Sequence, residues 1–380
     1  MKPINLDHNA TTPVDPAVLD AMLPFLREQF GNPSSAYPLG RRAHEAIEAA
    51  RAQVAVLIGA QADEITFTSG GTEASNIAIR GAAKRDTSRH AIVTTRIEHP
   101  ATEACCALLE REGHGVRRIA PRPDGRVSAA AVAAATDGGT ALVTVIHAQN
   151  EIGTLQPVAD IARAARRHGA LMHADVAQSV GKVPVDVDAL GVDLISIAGH
   201  KLYAPKGIGV LYQRRGLSLP SVIVGAGQEH GRRAGTENVA SIVALGEACR
   251  IAAERLRDAA QLAALSRDLL AHLQREVPGL ALVGDPDDRL PNTLNVLFPA
   301  VSGRRVLENC PSVMASTGSA CHADREDPSA ILLALGIAPN KALGAVRLSL
   351  GRSTTKDDIA AAAAQLASAW RALAQPLAAE

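Results

Sequence analysis

Short runs of β-branched and other apolar residues recur through the first half of the chain, each ending in polar or glycine-rich positions. The runs are EITFTSGG (Glu64–Gly71), AIVTT (Ala91–Thr95), ALVTVIHAQN (Ala141–Asn150), LMHAD (Leu171–Asp175) and DLISIAGHK (Asp193–Lys201). Each is followed by an Ala/Arg/Glu-rich stretch with helical periodicity. Strands alternating with helices predict an α/β fold, a mostly parallel sheet covered on both faces. In such sheets ligands bind beyond the carboxyl ends of the strands, where the polar residues of these runs cluster.

From Glu237 to about Val277 the pattern is helical throughout, with one internal glycine, Gly246, and no proline before Pro278. That is long enough for a helix leaving one unit and entering another. A second unit then starts near Leu256, with NTLNVLF (Asn292–Phe298) and AVRLSL (Ala345–Leu350) as its strands. A closing helix with an acidic first turn starts near Asp357. A length of 380 residues suits two domains.

Composition narrows the function more than the fold. Lys+Arg and Asp+Glu balance at 39 each, so no global field favours nucleic acid or an anionic membrane. Aromatic residues make up 2%, which leaves few platforms for stacking bases. No apolar run is long enough to span a bilayer, and the start MKPINLDHNATTP lacks the apolar stretch of a signal peptide. The cysteines Cys105, Cys106, Cys249, Cys310 and Cys321 form no CxxC pair, which argues against a disulfide framework or structural zinc and fits a reducing cytoplasm.

Candidate chemistry sits at the run ends. Lys201 follows a strand and precedes a Pro/Gly turn in SIAGHKLYAPKGIG, so its amine is held rather than free in solvent. A positioned amine forms a Schiff base with an aldehyde cofactor, and pyridoxal phosphate is the commonest such partner. An acid must then keep the pyridine nitrogen protonated, and Asp175 is placed for it; helix capping is its structural alternative. Gln178, three residues on, is set to meet the ring oxygen. TSGGTEASN (Thr68–Asn76) offers backbone N–H groups at a helix start for a phosphate, and it is neither a Walker loop nor GxGxxG. His99 in RIEHPATE is positioned to stack on the ring.

These parts, in this order, resemble the cysteine desulfurase and selenocysteine lyase family of fold-type I pyridoxal phosphate enzymes, in the class V aminotransferase group. LDHNATTPVDP, FGNPSSAYPLG, FTSGGTEASN, EHPA, HAQNEIGTLQPV, HADVAQSVGK, AGHKLYAPKGIG, GAGQEHGRRAGTEN, STGSACHAD and VRLSLGRSTT carry the resemblance, from Asn5 to about Asp358. It implies a large domain over 15–255 with a mostly parallel seven-stranded sheet. It also implies a smaller α+β domain from 1–14 and 256–380, carrying a catalytic-cysteine loop at about 315–327. By this resemblance Lys201 is the Schiff-base lysine, Asp175 the pyridine-nitrogen partner and His99 the stacking imidazole. Gln178 and Asn150 lie around the cofactor oxygen and the substrate; Gly71, Thr72 and His200 form the phosphate cradle. Thr236 reaches the phosphate from the other subunit of a homodimer, Arg347 clamps the substrate carboxylate, and Cys321 is the catalytic cysteine.

The implied activity converts L-cysteine to L-alanine, with sulfur held on Cys321 as a persulfide for an acceptor protein. The weakly packing residues of ASTGSACHADRED (Ala315–Asp327) suit a cysteine that must serve both the pocket and an acceptor outside it. Three departures bear on this. Ala198 stands where many members have a serine, Pro100 follows the stacking histidine, and Cys321 is followed by His322-Ala323-Asp324, closer to the selenocysteine lyases. Release of selenide from L-selenocysteine is therefore the alternative activity. An aminotransferase, or a non-catalytic scaffold binding sulfur carriers, are further readings.

Overall fold

The computed structural model describes residues 3–317 and 327–374. Its strands, in chain order, are β1 Ile4–Asn5, β2 Ile65–Thr68, β3 Ala91–Thr95, β4 Gly115–Ile119, β5 Thr140–Ile146, β6 Leu171–Asp175, β7 Leu194–Ala198, β8 Gly209–Gln213, β9 Ala281–Leu282, β10 Thr293–Leu297, β11 Val313–Met314 and β12 Ala345–Ser349.

β2 to β8 form a 7-stranded sheet in the order β2-β8-β7-β6-β5-β3-β4. All pairings are parallel except those of β8, which runs antiparallel to both β7 and β2. The expected mostly parallel sheet is therefore present. Alternation along each strand sends neighbours to opposite faces. Val93, Val143, Ile195 and Val210 join one core, with the helices Pro38–Ile58 and Val239–Arg255. Ile92, Leu142, Leu194 and Leu211 join the other, with the helices Gly71–Arg85 and Pro100–Arg111. Burial on both faces is why these strands read as continuous apolar runs.

Two strands of this sheet were not anticipated from the sequence. β4, GVRRI, is an edge strand that is nowhere fully buried. Its arginines face outward, Arg117 toward Asp137 and Arg118 toward Glu103 and Glu110. Charges on an edge discourage pairing with another chain and mask the strand pattern. β8 follows the Pro/Gly turn after Lys201 and returns alongside β7.

A third core gathers the chain's two ends. Ile4 and Leu6 pack with the helix Ala259–Glu276, with β10 and β12, and with the closing helix Lys356–Ala374. β9, β10 and β12 form an antiparallel sheet, and β1 pairs with β11. The helical stretch after Glu237 is not one helix: Val239–Arg255 gives way to a 3-10 turn, Leu256–Asp258, before Ala259–Glu276 begins. No residue of that turn is buried, so no packing stripe holds it straight, and the two helices serve different cores. Among the described residues no helix is long and apolar enough to cross a membrane.

Candidate active site

The carboxyl ends of β2, β5, β6 and β7 open onto one cavity of about 290 Å³, closed on the other side by β12 and the segment after β1. Of the residues expected to act, it gathers Gly71, Thr72, His99, Asn150, Asp175, Gln178, His200, Lys201 and Arg347.

Lys201 ends a 3-10 turn, Gly199–Lys201, that follows β7 directly. Its Nζ donates to the carbonyls of Asn9 (2.5 Å) and Ala10 (2.7 Å), so backbone oxygens rather than a carboxylate hold the amine. Burial, reinforced by the Arg347 cation, lowers its pKa from 10.5 to about 8, against the pull of Asp7 and Asp175. An amine so perturbed is available as a nucleophile or base near neutral pH.

Asp175 closes β6 with only 6% of its surface exposed, and its Oδ1 accepts the Ala177 N–H (2.9 Å). Burial raises its pKa above the ordinary carboxylate range; the Ala177 N–H, His99 and Lys201 oppose that. A buried carboxylate facing a cavity wants a cationic partner, and a protonated ring nitrogen is one. His99 caps the helix Pro100–Arg111: its Nδ1 accepts the Ala101 N–H (3.1 Å), leaving Nε2 to carry the proton. Pro100 occupies the first helical position, where its missing N–H costs nothing. His99 thus has its structural role and its place in the cavity together, because the cap fixes the ring. Desolvation lowers its pKa, with Lys201 acting the same way and Asp175 opposing.

At the other end of the cavity the helix Gly71–Arg85 begins, with the unpaired amides of a helix start and its positive dipole end. Gly71 lies close against β7: a Cβ there would come within 3.2 Å of the Ala198 Cβ, a tight contact. The residue at 198 therefore faces the cradle directly, and alanine brings no donor. The His200 Nδ1 lies 3.1 Å from the Thr11 hydroxyl, and burial, then Lys201, lower the His200 pKa to about 4, so the ring is neutral. Glu73, in the helix's first turn, is neutralised by Arg233 at 2.8 Å.

Arg347 lies at the centre of β12, 6% exposed, and its guanidinium binds Asp7 (2.8 Å) and the Asn150 carbonyl (3.3 Å). Its Nε is buried and has no partner among the described residues. Such a fork, held on one side and turned to the cavity, suits a carboxylate. Nothing in the sequence reading singled out Asp7 or Asn9. Asn9 is a hub: its carbonyl takes both Lys201 and Gln178 Nε2, while its side chain joins Thr293, Asn292 and the Asn150 carbonyl. Its signal was present in LDHNATTP, where a polar residue follows a strand, but only the fold shows what it meets. Glu98 was missed too. It is 6% exposed, accepts from Thr95 and from the Ile146 N–H, and burial raises its pKa to about 8.

Thr236 lies apart from this cavity, exposed in a separate cleft with Glu229 and Arg233. Cys321 lies outside the described residues. The other four cysteines are buried in the cores, where desolvation lifts their pKa values, as expected of inert thiols.

The donor set fits pyridoxal phosphate at each of its ends. There is an amine for the aldehyde, the buried Asp175 carboxylate for the ring nitrogen, and a helix start flanked by a neutral imidazole for the phosphate. Among the described residues no cluster suits a metal ion instead.

Comparison with known proteins agrees. The model of the family described as aminotransferase class-V matches residues 4–361. A cysteine desulfurase IscS from Anaeromyxobacter dehalogenans is 43% identical over 363 residues, covering 94% of this chain and 90% of that protein. A solved NifS-like protein superposes with a TM-score of 0.90 at 34% identity, covering 96% of this chain and 98% of the other. A solved SspA in complex with cysteine gives a TM-score of 0.81 at 35% identity, covering 91% and 98%. The chain belongs to the aminotransferase class-V family, alongside the cysteine desulfurases, and its fold is that of the pyridoxal phosphate enzymes of this group.

Proposed function

We propose that this chain is a pyridoxal-phosphate-dependent cysteine desulfurase that yields L-alanine and passes the substrate sulfur to Cys321. The observation that carries the reading is one cavity holding an amine of lowered pKa, Lys201, between Asp175 and Arg347. When bound, the cofactor supplies an electron sink for negative charge developing at the substrate's α-carbon. Asp175 holds the proton of the ring nitrogen, His99 covers the ring, and the start of the helix Gly71–Arg85 with Thr72 and His200 receives the phosphate. Arg347, steadied by Asp7, receives the substrate carboxylate beside Asn150. Lys201 takes the α-proton, and His99 Nε2 is the nearby proton carrier. The Cys321 thiolate attacks the substrate sulfur: an S–S bond forms, the C–S bond breaks, its electron pair stays with the β-carbon, which takes a proton, and the α-proton returned by Lys201 completes alanine.

The chain acts as a homodimer in which Thr236 meets the partner's phosphate site. Its exposure, and its separation from this chain's own cavity, support that. The division into a large domain over 15–255 and a small one from 1–14 and 256–380 is supported by a core that the second unit builds for itself, while Val283, Ile331, Leu332 and Leu335 of that unit pack into the large one's core. The sulfur leaves Cys321 for an acceptor protein in the cytoplasm.

Mass spectrometry of Cys321 after incubation with L-cysteine tests the reading. One added sulfur, lost in Cys321→Ser together with sulfide release, is expected. Alanine formed with no sulfur on Cys321 would sink the persulfide step. Selenide release from L-selenocysteine, run in parallel, decides between sulfur and selenium.

A further inference from the structure

Lys182 has no part in the chemistry above, yet it bonds two residues that line the site, Gln178 and Asn9. It lies in the turns after β6, and its Nζ donates to Gln178 Oε1 (2.8 Å) and to Asn9 Oδ1 (3.2 Å). Among the described residues it pairs with no carboxylate; a buried ammonium without a counter-ion is costly and seldom accidental. The groups facing it are mostly cationic. Lys201 and Arg347 lie toward the active-site cavity, while His8 and, across a neighbouring cavity that Lys182 lines, Arg255, Asp258 and Arg352 lie behind.

Two consequences follow from an ammonium's being able only to donate. Gln178 must turn its oxygen to Lys182, so its Nε2 faces Asn9 O (3.0 Å) and keeps one N–H for an acceptor in the cavity. The same Asn9 carbonyl holds Lys201, so Lys182 braces both the amide and the amine through one residue. Charge adds to geometry. An anionic oxygen bound by Gln178 would sit across one carboxamide, two hydrogen bonds away, from a cation with no carboxylate partner among the described residues. Burial, with Lys201 and Arg347, lowers the Lys182 pKa to about 7, and such an anion draws the proton back.

We propose that Lys182 is a positioning residue of this site: it fixes the Gln178 carboxamide with its nitrogen toward the cavity and supplies the positive charge that favours an anionic ring oxygen there. The inference rests on the pyridoxal phosphate reading and goes beyond it.

The test compares wild-type, Lys182→Met and Lys182→Arg holoenzymes by visible absorption titrated from about pH 6 to 10 and by the pyridoxal phosphate dissociation constant. Removing a nearby cation eases protonation of the cofactor-linked Lys201 nitrogen. The absorption midpoint of the Met variant should therefore rise by about one pH unit, as expected for unit charges a few ångströms apart under partial screening. Its dissociation constant should rise about tenfold, one such unit in free energy. The Arg variant keeps donors and charge and should recover most of both. A coloured Met variant with the wild-type midpoint overturns the proposal, as does an Arg variant displaced in midpoint as far as Met. If the Met variant does not fold, Lys182→Gln, which also removes the charge, takes its place and is judged by the same midpoint. A colourless wild type that takes up no cofactor sinks the functional reading instead, a result distinct from these.

Discussion

Glu98 offers a sharp test of the electrostatics, because replacing it should make the protein gain stability relative to wild type as the pH rises. Its carboxyl is buried between Thr95 and Ile146, with Oε2 unpartnered, and lies close enough to Asp175 for the two charges to oppose each other. Burial moves its pKa from 4.5 to about 8. A carboxyl raised in the folded state contributes its full stability below pH 4.5 and loses it progressively up to about pH 8. At about 1.4 kcal/mol per pH unit, the loss is roughly 3 kcal/mol at pH 7 and levels off near 5 kcal/mol above pH 8.5. Glu98→Gln keeps the shape and the accepting oxygen and never ionises. It leaves an amide N–H without a partner, a cost of about 1–3 kcal/mol that does not depend on pH. Relative to wild type, the variant should gain about 2–3 kcal/mol between pH 5 and pH 7. Urea midpoints of both holoproteins at pH 5, 7 and 8.5 measure this. A difference between variant and wild type that stays constant across the three pH values would refute the reasoning, whatever its sign.

Other outcomes follow from contacts in the same region. Arg347→Met removes the fork for the substrate carboxylate and should raise KM for L-cysteine by about 10–1,000-fold, with cofactor absorption retained. Lys201→Ala should lower kcat by at least about 10²–10⁴-fold, the range for loss of a positioned base, and should change the absorption of bound cofactor. Arg51 and Glu229 form a bidentate pair, 3% and 5% exposed, that holds the loop leading to Thr236 through the Phe67 N–H. Arg51→Met should cost about 3–5 kcal/mol by leaving a bare buried carboxylate, and adding Glu229→Met should restore much of it in urea unfolding.

The strands that carry the site were legible because burial on both faces makes them apolar from end to end. AIVTT and LMHAD coincide with β3 and β6 residue for residue. β4 was not legible, because an exposed edge strand carries an arginine on each face, and the pair breaks the apolar run. Residues placed by local rules could be picked out too. Lys201 follows its strand directly, Asp175 ends one, and Gly71 and Thr72 open a helix, so a few residues of sequence fix where each side chain stands.

Contacts across the chain were another matter. Asp7 meets Arg347, and Asn9 meets Lys201, only because the segment after β1 crosses to the strand ends of the large sheet. Glu98 and Lys182 read as ordinary charged residues until burial shows one without a cation and the other without an anion. The sequence by itself determined the sheet, the order of the strand ends and the residue types offered at each. Which of those residues meet, and what burial does to their charges, was decided by the tertiary structure, since desolvation and long-range hydrogen bonds depend on neighbours far away in the chain.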